Sequence, residues 1–124
     1  MSDEQVVQAR VKVTAFGAGN PWVGLIAKYT DAQNYTYVTL RKSGRISLRY
    51  LVDGAIHAAG EANYPVTPGT WYTLRYEQPG FGTRVFVNDQ LVLQGQGTAG
   101  QKNRVGLMTY RATAEFDDFT AHQP

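Results

Sequence analysis

Over most of its length the chain alternates apolar and polar residues with a period of two. From Gln5 to Phe16, Val7, Ala9, Val11 and Val13 take turns with Gln8, Arg10, Lys12 and Thr14. Successive side chains of a strand point to opposite faces, so this pattern predicts a strand with one face buried. A second strand is predicted over residues 23–30, with Val23, Leu25, Ala27 and Tyr29 on one face and Ile26, Lys28 and Thr30 on the other. The clearest hairpin covers residues 34–50. It sends Thr36, Val38, Leu40, Ile46, Leu48 and Tyr50 to the core side, and Tyr35, Tyr37, Thr39, Arg41, Arg45, Ser47 and Arg49 to the other. Gly44 supplies the positive φ that its short connection, Lys42-Ser43-Gly44, needs.

The same reading continues downstream. Asp53-Gly54 is a strong hairpin signal leading into a short strand over residues 55–59. Pro65 and Pro68 make residues 63–69 a crossover loop. Residues 71–77 form a strand, Pro79-Gly80-Phe81-Gly82 turns the chain into residues 83–88, and Asn88-Asp89-Gln90 turns it again into Leu91-Val92-Leu93. A glycine-rich polar loop over residues 95–102 precedes two last strands, 104–110 and 114–122. About ten strands separated by turn signals, with no amphipathic helix, argue an all-β, two-sheet antiparallel sandwich.

Composition narrows the classes. A chain of 124 residues is expected to form one domain, 1–124, and to bury roughly two-thirds of its unfolded surface. Eight tyrosines and thirteen glycines fit a strand-and-turn protein. There is no cysteine, which excludes a disulfide framework and a thiolate metal site. A formal charge of +2 is too mild to argue for nucleic acid, and no apolar run approaches the roughly 18 residues of a membrane span. Ser2-Asp3-Glu4-Gln5 is polar and acidic, unlike the opening of a secretion leader.

The order of motifs resembles the concanavalin A-like lectin/glucanase superfamily. The run is Val23-Gly24-Leu25-Ile26-Ala27-Lys28-Tyr29, Asn34-Tyr35-Thr36-Tyr37, Asp53-Gly54, Gly69-Thr70-Trp71-Tyr72-Thr73-Leu74, Val85-Phe86-Val87-Asn88, Gly106-Leu107 and Ala114-Glu115-Phe116-Asp117-Asp118-Phe119. In particular it looks like the laminin-G-like jelly-roll domains attached to bacterial pectate lyases and other polysaccharide-degrading enzymes. The resemblance covers residues 6–120. It implies a jelly-roll sandwich that binds polysaccharide without cleaving it, appended to a larger secreted bacterial enzyme. Such domains usually have a further stretch ahead of the strand matching Gln5–Phe16. Either that stretch is missing or the first edge is covered otherwise, self-association being one means.

The residues agree in kind. Sugars expose apolar C–H patches that stack on flat rings, and tyrosine and tryptophan offer such area at low entropic cost. Arginine holds a carboxylate by two parallel hydrogen bonds, which suits acidic, pectin-like chains. The expected binding surface is Tyr35, Tyr37, Arg49, Arg75 and Lys28, with Trp22 as a platform at its rim. For the tyrosines the alternative is cross-strand packing, for the arginines a solvated face, and for Trp22 a lid on the sandwich end. Arg41 and Arg45, beside the turn, are weaker candidates. Trp71 reads as structural, and Tyr110, on the face of Met108, as core.

No cofactor is expected. The resemblance raises a structural calcium at Asp117 or Asp118, but adjacent strand residues point to opposite faces, so at most one serves a given site. His57 and His122 stand alone. Glu61, Glu77 and Glu115 show no paired-carboxylate spacing, and Ser2, Ser43 and Ser47 lack a nucleophile elbow, so the chain is not expected to be an enzyme. The rival readings are a structural or protein-interaction module and, third, a polysaccharide lyase or hydrolase.

Overall fold

A computed structural model describes residues 5–78, 82–96 and 104–122. Among these residues the chain forms ten strands: β1 (Gln5–Phe16), β2 (Trp22–Asp31), β3 (Asn34–Arg41), β4 (Arg45–Val52), β5 (Ala55–Asn63), β6 (Trp71–Gln78), β7 (Gly82–Val87), β8 (Gln90–Gln96), β9 (Arg104–Tyr110) and β10 (Ala112–His122). They make two five-stranded sheets, in the order β10-β1-β6-β7-β8 and β5-β4-β3-β2-β9. Every pairing described is antiparallel. This is the two-sheet sandwich that the alternation predicts, and the jelly roll that the resemblance implies.

The core lies between the sheets, where the alternation sends it. Val7, Ala9, Val11 and Val13 of β1 meet Val23, Leu25 and Ala27 of β2, Val38 and Leu40 of β3, and Ile46 and Leu48 of β4. Tyr72, Leu74 and Tyr76 of β6 complete the layer with Val85, Val87 and Leu93. Tyr76 is fully buried, and its hydroxyl donates to Gln78 Oε1 at 2.8 Å. That bond satisfies the one polar atom the ring carries inside. Burial drives the Tyr76 phenol well above its ordinary range.

The turns follow their residues. Gly44 has φ 85°, and Asp53 and Asn88–Asp89 also take left-handed backbone, as tight hairpins require. Four expectations change. β5 runs on through Gly60, Glu61 and Ala62 to Asn63, because Ser47 and Ile46 of β4 keep pairing with it. β8 and β10 likewise begin earlier than expected, at Gln90 and Ala112. β1 is not an edge: β10 covers one side of it and β6 the other, so nothing at β1 calls for self-association. Finally, a bulge at Lys28 (φ 52°) breaks the alternation of β2. Of the predicted loop over residues 95–102 and the predicted turn over residues 79–82, Gly95 and Gln96 belong to β8 and Gly82 to β7, because those two strands pair there, and the rest lies outside the described residues.

Candidate functional site

Register fixes what the outer face of the β5-β4-β3-β2-β9 sheet carries. Ile26, Tyr37 and Arg49 stand side by side across three strands, as do Gly24, Thr39 and Ser47. Trp22 sits between Arg41 and Tyr110. All of these lie opposite the core side. The rings form an unbroken series: Tyr29–Tyr35 centroids are 5.6 Å apart, Tyr35–Tyr37 5.5 Å, Tyr37–Trp22 5.7 Å and Trp22–Tyr110 6.1 Å. Such spacings are those of interacting aromatic pairs.

Two local features of β2 build this series. The bulge at Lys28 turns Tyr29 away from the core face, where strict alternation would send it, and onto Tyr35. Gly24, between Trp22 and Ile26, is buried with the Val38 backbone against it. A Cβ there would lie 1.8 Å from the Val38 carbonyl oxygen, so no other residue fits. The rings differ in access. Tyr37 is 5% exposed, shielded by Trp22 and Tyr35, and is absent from the inter-sheet core. Tyr110 is 45% exposed, and Trp22 and Tyr35 are half-buried. Burial, and then the neighbouring Tyr37 and Tyr29, pushes the Tyr35 phenol up from its ordinary value.

Cations flank the rings. Arg41 lies 5.9 Å from the Trp22 ring, and its Nε donates to Ser47 Oγ at 3.0 Å. Arg111 lies 5.4 Å from the Tyr110 ring. Arg49 is half-buried, 4.0 Å from Glu61, whose other oxygen accepts from Arg45. Burial, and then the like charge of Arg49, lowers the Arg41 pKa from its ordinary value.

Of the residues singled out from sequence, Trp22, Tyr35, Tyr37 and Arg49 come together here. Two do not. Lys28 is only 4% exposed within its bulge, and Arg75 is on the other sheet. There Arg75 covers the Phe86 ring at 4.2 Å and lies 2.8 Å from both Glu77 and Asp89. The Glu77 contact at Nε is a charge contact, since its N–H is not aligned for a hydrogen bond. Arg41 and Tyr110, read as a weak candidate and as core, belong to the face instead. Alternation within a strand tells its two faces apart, but not which sheet the strand joins.

The outer face of the second sheet is of another kind. Arg10 and Lys12 cover Trp71 at 4.7 and 5.1 Å. Lys12 pairs with Glu115 at 2.8 Å, Arg84 with Glu77 at 3.8 Å, and Arg10 with Asp118 at 3.8 Å and Asp117 at 4.0 Å. Both aspartates reach one arginine because β10 bulges there, with Asp118 at φ 50°, which corrects the expectation that adjacent residues diverge. Among the described residues no three or more His, Asp or Glu side chains gather in one place.

No protein-family model matches the chain, and no curated protein sequence matches it significantly. Solved structures do match. A carbohydrate-binding module of Bacillus subtilis, CBM66, superposes with a TM-score of 0.77 at 18% identity, over 98% of this chain and 76% of that one. Sheep galectin-11, in complex with glycerol, gives 0.73 at 15% identity over 98% and 92%. A glycoside hydrolase family 43 protein of Bacillus licheniformis gives 0.73 at 14% identity, over 99% of this chain but 28% of its own. These are likenesses of fold. They agree with the expected lectin-like jelly roll at that level.

Proposed function

We propose that the domain is a non-catalytic carbohydrate-binding module that lays a polysaccharide along the outer face of the β5-β4-β3-β2-β9 sheet. The observation that carries this is the unbroken series Tyr29, Tyr35, Tyr37, Trp22 and Tyr110 on a face turned away from the core. Stacked rings give pyranose C–H faces a surface, and the flanking arginines give hydroxyls and carboxylates their donors. Two of the superposed folds bear names that point the same way, a carbohydrate-binding module and a galectin. The cations beside the rings favour acidic, pectin-like chains, and the natural setting would be a larger secreted enzyme. Glu61, the carboxylate nearest the rings' arginines, is held by Arg45 and Arg49. Glycoside cleavage needs a second carboxyl group facing such a residue.

Affinity electrophoresis through gels containing polysaccharide tests this. Trp22→Ala and Tyr35→Ala are expected to abolish retardation while the melting temperature drops by no more than a few degrees. Undiminished retardation in both variants would sink the proposal.

A further inference from the structure

We infer that the ring-bearing face holds a dedicated carboxylate subsite at Arg41 and Arg49, over Ser47 and Thr39 and beside Trp22, which selects uronate-containing chains over neutral ones. This rests on the carbohydrate reading above and assigns its acid recognition to one place.

The argument starts from an unbalanced charge. Arg41 is 8% exposed although it lies on an outward face. Among the described residues no carboxylate lies within 4.0 Å of it. Its guanidinium is held instead by one hydrogen bond to Ser47 Oγ and by the Trp22 ring. Arg49 adds like charge beside it rather than relieving it. Buried charges are expensive unless paired, so this arrangement lacks an anion. Glu61 offsets part of this charge from a distance but does not contact Arg41, because Arg45 occupies one of its oxygens and the other stands 4.0 Å from Arg49.

The other sheet shows that the fold can pair its cations. Arg10, Lys12, Arg75 and Arg84 each have a carboxylate at 3.8 Å or closer. Arg41, the most buried arginine among the described residues, has no carboxylate so close.

A second observation falls on the same spot. Thr39 pairs with Ser47 across β3 and β4, on the face of Arg41. Its Oγ1 is fully buried and has no hydrogen-bond partner. Buried hydroxyls are seldom left so. An orphan hydroxyl, an unpaired guanidinium and an indole in contact suit an anionic group carried on a sugar ring. The planar fork of arginine accepts a carboxylate at two points. Arg49, with a side chain 29% exposed, is the more open of the two guanidiniums, and Arg41 the more buried.

The test uses the whole chain in affinity gels containing polygalacturonate, its fully methyl-esterified form, or a sulfated galactan. The wild type is expected to bind the free acid about tenfold or more tightly than the ester, the scale of a charge-assisted hydrogen bond. Arg49→Gln and Arg41→Gln should weaken binding of the acid about tenfold or more and of the ester far less, so that the two polymers bind alike. Arg75→Gln, on the far sheet, should alter neither. Should Arg41→Gln fail to fold, Arg49→Gln decides alone. Equal binding of acid and ester, or of acid and sulfated chain, overturns the subsite while the carbohydrate reading stands. Binding to none of them, nor to neutral polysaccharides, overturns both.

Discussion

At the scale of single residues, the face depends on what is missing as much as on what is present. Gly24 has no side chain to place 1.8 Å from the Val38 carbonyl, so Gly24→Ala must push two central strands apart. We expect a loss on the order of 3 kcal/mol, measured by chemical unfolding. Tyr37, 5% exposed, divides from its neighbours in the same way. Tyr37→Ala is expected to lower the melting temperature markedly, whereas Tyr35→Ala and Trp22→Ala are not, because their rings are half open already. Asp31 offers a test by pH. The Asn34 side chain, at 3.0 Å, and the Gln33 N–H, at 2.8 Å, hold its carboxyl below the ordinary 3.8. A depressed folded pKa means that this stabilisation is complete above the ordinary value and is lost as the pH falls through the folded one. The difference in melting temperature between wild type and Asp31→Ala should therefore be constant near neutrality and shrink as the pH drops below 3.8.

At the scale of elements, period-two alternation made the strands legible, since Val7 to Val13 and Tyr72 to Tyr76 bury in strict alternation. Bulges were not legible. Nothing in Ala27-Lys28-Tyr29 or Asp117-Asp118-Phe119 marks an extra residue, because the bulge arises from pairing with strands distant in sequence. The same blindness placed Arg75 among the tyrosines: β6 is recruited by β1, and alternation inside β6 cannot reveal that. From sequence β5 ends early, because Gly60 and Glu61 are poor strand formers alone, while in the fold β4 holds them in register. Ion pairs at the β1–β10 seam are exposed and should matter little. Lys12→Met is expected to change stability by less than about 1 kcal/mol by chemical unfolding, since Glu115 is more than half exposed.

At the scale of the whole molecule, the two outer faces differ in how their charges are balanced. Cations on the β10-β1-β6-β7-β8 sheet are matched by nearby carboxylates. On the ring-bearing sheet Arg45 and Arg49 share Glu61, and among the described residues no carboxylate lies within 4.0 Å of Arg41. Retention on an acidic polymer should consequently weaken as salt is raised from about 0.05 to about 0.5 M, over which range the screening length falls from roughly 14 to roughly 4 Å. Retention on a neutral polymer should stay nearly constant. A matching decline on both would mean that the arginines play no part.

Val6 of β1 lies across from His122 of β10. The polypeptide therefore enters and leaves the sandwich at one corner of the sheet that carries no aromatic row. A label or fusion joined at that corner starts from the sheet opposite the aromatic row.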